Sequence, residues 1–470
     1  MSLSPVIVWF RRDLRLGDNP AFHYAVESGQ PVIALYIDEI DRTRPHGGAS
    51  KWWLHYSLKS LSNDLSAKGV KLIIRRGVAQ EILSQLCRQT AASLIVWNRR
   101  YEEDGRQRDG AIKSGFSQSG IDVKSFNGAL LTEPWRIKPA SSDYYKVFTP
   151  YWKKIRSDLN VAPPIEVPQD IKGYSGALNS LSIDELDLLP SRPDWAAKLQ
   201  PLWQIGEAGA HDALSAFIEN GLSDYAMGRN RADLKNSTSK LSPHLAFGEI
   251  SPRQIWAACT QYDPKIFLSE IGWREFSYVL LFHNPQLAHK AFKAQFNSFP
   301  YAKDDKGFHA WCYGQTGYPY IDAGMRQLWQ TGWMHNRVRM ATASFLIKHL
   351  LIDWREGEKW FHDTLVDFDP ASNAASWQWV AGSGADASPY FRIFNPITQG
   401  KKFDPNGDYV KRFVPELRLL PIKYIHEPWE ASESILKSSS VTLGQTYPKP
   451  IVDHKFARER ALDALKQIKS

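Results

Sequence analysis

The sequence predicts an α/β N-terminal domain built on a parallel sheet, followed by an all-α C-terminal domain. Three observations carry this. Short, apolar, β-rich runs alternate with helical patterns through the first 130 residues, strand signals vanish from about residue 204, and 470 residues are too many for one ordinary core. The expected organisation is therefore an α/β domain over 1–130, a linker over 131–203 and a helical domain over 204–470.

The strands are PVIVWF (5–10), PVIALYI (31–37), KLIIRRG (71–77) and SLIVWN (93–98). Helical candidates separate them, such as KWWLHYSLKSLSNDLSAKG from Lys51, and alternation of this kind implies a parallel sheet covered on both faces. No GxGxxG follows the first strand, so a dinucleotide-binding fingerprint is absent. The linker carries Pro- and Ser-rich segments such as NVAPPIEVPQD and LLPSRPDW, with little periodicity. Beyond it, HNRVRMATASFLIKHLLIDW (335–354) reads as one helix. Asn336, Met340, Ala343, Ile347, Leu351 and Trp354 share a face, which would put Asn336 about 27 Å from Trp354 along the axis. An amide buried on that apolar face would need a partner or a ligand.

Hydrophobic residues at 43% and charged residues at 23% are globular values, and no run of about 18 apolar residues exists to span a membrane. The N-terminus lacks the pattern of a secretory signal, which leads us to expect a cytoplasmic protein. Three widely spaced cysteines, Cys87, Cys259 and Cys312, supply neither a disulfide framework nor a four-cysteine metal or cluster site. A net charge of +8 favours a polyanionic partner, and eighteen tryptophans raise stacking or redox chemistry as roles beyond packing. The segment VDFDPASNAASWQWVAG (366–382) is the oddest in the chain: two acids and an amide run into two indoles, with neither helical nor strand periodicity.

WFRRDLRLGDN (9–19), TSKLSPHLAFGEISPRQ (238–254), EIGWREF (270–276), TGYPYIDAGMRQLWQTGWMHNRVRM (316–340) and DFDPASNAASWQW (367–379), in that order along nearly the whole chain, resemble the DNA photolyase/cryptochrome family. WWLHYSL (52–58) and WQWVAGSGADASPYFRIFNP (377–396) are similar to the bacterial class III cyclobutane-dimer photolyases, relatives of the plant cryptochromes. The resemblance implies a Rossmann-like antenna-binding domain, a helical FAD- and DNA-binding domain, and light-driven repair of cyclobutane pyrimidine dimers. It implies FAD held by Tyr225, Thr238, Ser239, Lys240, Leu241 and Ser242 around its phosphates, with Trp273, Arg274, Trp333, Asn336 and Arg339 completing the cofactor site. The family usually has arginine where Lys240 stands. Asp367 and Asp369 would meet the flavin's polar edge and ribityl region, with Arg339 as a buried counter-charge, and Asn373 would face the redox-active ring nitrogen. An amide adds no charge there, which favours the reduced, anionic flavin.

By the same resemblance, Trp377 and Trp354 are the inner members of an electron-transfer chain, and Tyr301 stands where a third tryptophan is usual. Trp311 and Trp360 offer another route. Glu270 would hydrogen-bond the dimer, Trp273 and Trp379 would wall the extruded bases, and Asn336, Arg337 and Met340 would line the rest. Arg229, Arg274, Arg337 and Lys401 or Lys402 would meet phosphates. Extrusion costs least for damaged bases, an effect stated generally for photolyases. Repair of (6-4) photoproducts needs a histidine acid where Asn336 and Met340 stand, which excludes it. The antenna expected is 5,10-methenyltetrahydrofolate near Phe10, Arg11, Trp52, Trp53, His55 and Tyr56, with 8-hydroxy-5-deazaflavin or no antenna as alternatives. Asp104 and Gly105 replace the folate-binding Asn–Glu pair of the best-known bacterial enzymes.

The expected partner is UV-damaged DNA, double- or single-stranded, bound by a monomer with no metal and no membrane. The alternatives are a cryptochrome-type blue-light photoreceptor without repair, against which stand Asn373, Glu270, Trp273 and Trp379 and the expectation of no long tail beyond Ser470, and a tryptophan-rich single-strand-binding module.

Overall fold

Five parallel strands form one sheet in the order β3-β2-β1-β4-β5, with β1 Val6–Phe10, β2 Val32–Glu39, β3 Leu72–Gly77, β4 Leu94–Asn98 and β5 Asp122–Phe126. The four sequence-predicted strands are present. All five residues of β1 are buried, as a central strand covered on both faces requires. Strand β5 was not anticipated: DVKSF has only two apolar residues and is partly exposed, the signature of an edge strand. Helices Pro20–Glu27, Gly48–Ala67, Ala79–Thr90 and Glu103–Gln118 alternate with the strands. Ile7, Trp9, Leu35, Leu83, Ile95 and Trp97 belong to the apolar core on one face.

This computed structural model describes residues 4–386 and 391–468, so residues 387–390 of the quoted segment 377–396 lie outside the described residues. The chain forms two compact units. The first takes Met1–Glu219, Ser239–Pro285 and Val366–Asp369; the second takes Asn220–Thr238, Gln286–Leu365 and Pro370–Ser470. The motif at 9–19 explains why segments distant in sequence gather in the first unit. Arg15, fully buried, donates to the carbonyls of Gly17, Asp18, Gly128 and Gly248, and Glu207 accepts from Leu16 N and Gly17 N at 2.7 and 2.8 Å. The linker is not wholly aperiodic either, since Phe148–Asp158 is a helix with Phe148, Tyr151 and Ile155 buried.

Glu275, on the long helix Lys265–His283 of the first unit, accepts from Leu131 N at 2.9 Å and Thr132 N at 3.3 Å. Burial pushes its carboxyl up to about 7, against the pull of Arg274. A folded value above the unfolded one means this group's stabilisation is complete at acid pH and is lost as pH rises through about 7. The ionised form then costs about 3 kcal/mol. Glu275→Gln keeps an acceptor for both N–H groups without the charge. Thermal unfolding should show the variant gaining on the parent between pH 5 and pH 8, and a pH-independent difference would count against the assignment.

The helix expected over 335–354 is broken. Asn336–Ser344 is α-helical, Phe345–His349 is a wider π turn closed by Leu350 N to Phe345 O, and Leu351 has φ +55°, which ends it. A new helix, Trp354–Thr364, starts after Asp353, whose carboxylate caps Arg355 N at 2.9 Å. The straight 27 Å separation is therefore withdrawn. The signal was present: Asp353 with Glu356 three residues on is a helix-start pattern. Ala343, Ile347 and Leu351 are buried as expected, but Asn336 is exposed at the first turn and Met340 half-buried, so the inference of a buried amide is also corrected. Among the described residues, no helix is long and apolar enough to cross a membrane, and no group of three or more metal-binding side chains exists.

Candidate functional site

In the first unit the segment Val366–Asp369 presents two buried acids. Asp367 accepts from Ser242 Oγ at 2.7 Å and Asp369 from Tyr278 OH at 2.5 Å. Burial, then the Asp369 charge, raises the Tyr278 phenol, which stays a donor. TSKLS thus reaches the aspartates through Ser242, the first residue of the short helix Ser242–Phe247; Lys240 is exposed, with φ +53°. Ser239 Oγ accepts from Leu241 N at 3.4 Å, and Leu241 is buried. Thr238 and Tyr225 belong to the second unit, where the Arg229 guanidinium lies 5.5 Å over the Tyr225 ring.

Trp273 is half-buried and stacks on Phe148, centroids 3.8 Å apart and planes 11° from parallel. One face of the expected base wall is thus backed by Phe148, a ring from the helix Phe148–Asp158 that sequence reasoning missed. Glu270, one turn earlier on the same helix, is half-buried. Arg274 turns the other way: it donates to Ala129 O at 2.8 Å and lies 3.6 Å from Glu275. These bonds tie Arg274 within this unit.

The second unit holds the residues expected to face the flavin and to carry electrons. Asn373, on the helix Pro370–Ala381, donates from Nδ2 to Glu358 Oε1 at 2.8 Å and to Glu358 O at 3.3 Å. A carboxylate can only accept, so Glu358 fixes which end of the amide faces it and leaves Oδ1 as the acceptor end. Glu358 was missed in the sequence, although it lies on the face of Trp354–Thr364 one turn from Trp354. Trp377 and Trp354 are both buried. Gly357 faces Trp377 so closely that an added Cβ would lie 2.2 Å from Cη2. Trp311 lies 6.3 Å from Trp377 centroid to centroid, and Phe308 is 6.0 Å from Trp311 and 6.5 Å from Trp360. The alternative route is therefore a run of neighbouring rings. Tyr301 is half-buried and packs 4.9 Å from Phe299.

The same unit gathers a basic, aromatic patch. Arg337 donates to Asn230 Oδ1 at 2.7 Å and lies 5.3 Å over Phe403, and Lys402 Nζ lies 5.4 Å over the same ring. Lys401 is paired with Glu427, which singles out Lys402 of the two. Arg337 Nη1 is 3.7 Å from Met340 Sδ, and Trp379 is half-buried. Arg339 is half-buried rather than buried, donates to Met334 O at 2.7 Å and lies 5.9 Å over Trp333. His335 caps this helix; burial, then Arg337 and Arg339, lower its imidazole to about 4, so it is neutral and no general acid.

The antenna candidates are mostly packed. Phe10 and Trp53 are fully buried, and Trp53 Nε1 donates to Glu249 Oε1 at 2.9 Å. Arg11 holds Asp109 with two bonds from Nη1 at 2.8 and 2.9 Å. All three are packed into the core. Trp52 and His55 are buried and Tyr56 half-buried, with Trp52 and Tyr56 5.3 Å apart. The unit also has a cleft of about 190 Å³ lined by Trp97, Arg99, Arg106, Lys113 and Trp135. It lies by the ends of β4 and β5, against the helix Glu103–Gln118.

Fold and site residues together define a two-part class in which an α/β domain accompanies a helical flavin domain. Residues 6–169 match DNA photolyase and residues 267–467 match the FAD binding domain of DNA photolyase. The chain belongs to the DNA photolyase/cryptochrome family. More particularly, it is 52% identical to a deoxyribodipyrimidine photo-lyase of Agrobacterium fabrum, covering 100% of this chain and 99% of that one. It is 39% identical to cryptochrome-1 of Arabidopsis thaliana, over 98% of this chain and 70% of that one. The crystal structure of a bacterial class III photolyase from Agrobacterium tumefaciens superposes with a TM-score of 0.97 at 52% identity, covering 100% of this chain and 98% of that one.

Proposed function

We propose that this chain is a deoxyribodipyrimidine photo-lyase that repairs cyclobutane pyrimidine dimers in UV-damaged DNA, with FAD as its cofactor. The observation that carries the reading is the Asn373–Glu358 pair, an amide held with its oxygen as acceptor at the position the family gives to the flavin's redox-active nitrogen. The residues suit FAD: in the first unit Ser242 with Asp367 and Tyr278 with Asp369 offer partners for its polar groups, and in the second Arg339 offers a cation. When bound and reduced, FAD supplies one electron to the dimer under blue light and regains it after the ring splits.

The chain's own residues do the rest. Asn373 Oδ1 would accept a hydrogen bond from a flavin N–H without adding charge, and Glu358 keeps it so oriented. Trp273, braced by Phe148, and Trp379 stack on the extruded bases, an interaction worth about 1–3 kcal/mol per base. Glu270 hydrogen-bonds the dimer. Arg229, Arg337 and Lys402 take phosphates, with Asn336 and Met340 against the lesion. Splitting needs no proton from the protein, in keeping with a neutral His335 beside Asn336. For the antenna we propose 5,10-methenyltetrahydrofolate beside Trp52, His55 and Tyr56, and the cationic, aromatic cleft at Trp97 and Trp135 as the place for an anionic deazaflavin instead.

The test is illumination of the purified, reduced protein with a dimer-containing oligonucleotide, scoring restored thymines. Light-dependent restoration is expected. A protein that holds flavin yet restores none would turn the reading to a photoreceptor, and one that retains no flavin would overturn it altogether.

A further inference from the structure

The rings leading outward from Trp377 through Trp311 reach the surface at a tyrosine. Trp377 and Trp311 are buried and Trp360 is half-buried, whereas Tyr313 is 54% exposed. We propose that Tyr313 is the solvent port of this route: it gives the last electron to an oxidised Trp360, sheds its proton to bulk water, and is refilled by a dissolved thiol. This rests on the electron-transfer reading of Trp377 given above.

The contacts run without a break. Trp311 lies 6.3 Å from Trp377, centroid to centroid. The Phe308 ring meets Trp311 at 6.0 Å and Trp360 at 6.5 Å, so it bridges the two indoles. Trp360 in turn lies 6.5 Å from the Tyr313 ring, with the planes 52° apart. Separations of this size are those of aromatic pairs in contact.

The local fold explains the alignment. Phe308 and Trp311 stand three residues apart on the helix Asp305–Cys312, started by Asp304, which accepts from Gly307 N at 2.8 Å. Tyr313 ends that helix: its N–H donates to His309 O at 3.1 Å, and its ring lies 4.3 Å from the His309 ring. The phenol is therefore held by its backbone on one side and by an imidazole on the other, while Trp360 comes from the helix Trp354–Thr364.

Burial sets the direction. The Trp311 Nε1–H donates to Thr342 O at 2.9 Å. A backbone carbonyl accepts a hydrogen bond but is too weak a base to take the proton, so an oxidised Trp311 stays a cation. A cation inside the core carries a desolvation cost, which drives oxidation toward the half-buried Trp360. At Tyr313 water can take the phenol proton as the electron leaves. The end state is a neutral radical at the surface, with no charge left among the indoles.

The steps balance. The oxidant is the photoexcited, oxidised flavin, which takes one electron from Trp377. Trp311 refills Trp377 and Trp360 refills Trp311. The Tyr313 O–H bond then breaks, its electron going to Trp360 and its proton to water. A thiol afterwards gives Tyr313 one electron and one proton and becomes a thiyl radical.

The test uses the oxidised holoprotein carrying Trp354→Phe, which closes the other route. Flash excitation is read by transient absorption, and a spin trap followed by peptide mass spectrometry locates the radical. A tyrosyl radical and a trap adduct on Tyr313 are expected. Tyr313→Phe keeps a ring against His309 and Trp360 but has no O–H. It should abolish the adduct and make the charge-separated state revert at least about tenfold faster, equivalent to about 1.4 kcal/mol in barrier. Trp360→Phe should also abolish the adduct while oxidised Trp311 still forms, which separates a place on the route from mere exposure. An adduct that persists in Trp360→Phe, no adduct on Tyr313 although tryptophan is oxidised, or reversion of Tyr313→Phe at the parent's rate would overturn the proposal. So would a Trp354→Phe protein that oxidises no tryptophan when the parent does. No oxidised tryptophan even in the parent would instead refute the electron-transfer reading beneath it.

Discussion

Replacing Asn373 with aspartate should leave flavin bound and reduce repair per photon at least about tenfold, equivalent to about 1.4 kcal/mol. The reason lies in the neighbour. Asn373 Nδ2 is 2.8 Å from Glu358 Oε1, so aspartate would set two carboxylates at hydrogen-bonding distance. At an effective dielectric of 20, like charges 4 Å apart repel by about 4 kcal/mol, and the pair would hold one proton between them instead. Two changes follow at the flavin position. Below the pair's raised apparent pKa, a carboxyl that can give up a proton stands where an amide could not; above it, an added negative charge opposes the anionic reduced flavin. Stepwise illumination with an external reductant should therefore stop short of the fully reduced spectrum, with an end point that varies with pH in the variant and not in the parent. Glu358→Gln in the same background should remove most of that pH dependence, because it removes the pairing. A variant that photoreduces like the parent at every pH would show that position 373 does not face the flavin.

How much of this was legible in the sequence depended on whether the signal was local. Strands β1 to β4 carry continuous apolar runs because a buried parallel strand must, and they were readable; β5, an edge strand with a mostly polar face, was not. The run 335–354 shows the limit of periodicity. Its apolar stripe continues in register through Leu351, and only the Asp353–Glu356 start pattern marks the break. Asp367, Asp369, Asn373 and Trp377 stood out because polar groups beside indoles fit no packing pattern. Their partners Tyr278 and Glu358 did not, and Ser242 was named for the phosphates but not as the partner of Asp367, since pairing across 91, 15 and 125 residues has no local trace. The bond of Arg274 to Ala129 O, across 145 residues, has no local trace either.

Gly357→Ala should destabilise the protein by about 1–3 kcal/mol, against the direction of helix propensity. In the interior of a helix alanine is favoured over glycine by about 1 kcal/mol, so a surface position would gain. Here an added Cβ would lie 2.2 Å from Trp377 Cη2, 2.6 Å from Leu346 Cδ2 and 2.7 Å from Trp377 Cζ3. The indole cannot simply tilt away, because Phe361 lies 5.0 Å and Trp311 6.3 Å from it centroid to centroid, each at 67°. Either the helix Trp354–Thr364 shifts or Trp377 moves, and both displace electron-transfer groups, so photoreduction should slow along with the fall in melting temperature. Two of the three clashing atoms, including the nearest, belong to the benzo ring, which phenylalanine does not place there. Trp377→Phe alone leaves a cavity and loses stability, yet the double variant Gly357→Ala/Trp377→Phe should be less destabilised than the sum of the two singles, because each change fills or vacates the space the other needs. Photoreduction should not recover in the double variant, since the indole itself is gone. Denaturant unfolding of the four proteins decides the matter: strict additivity would mean that Gly357 is not what seats Trp377, and the glycine would then need another explanation.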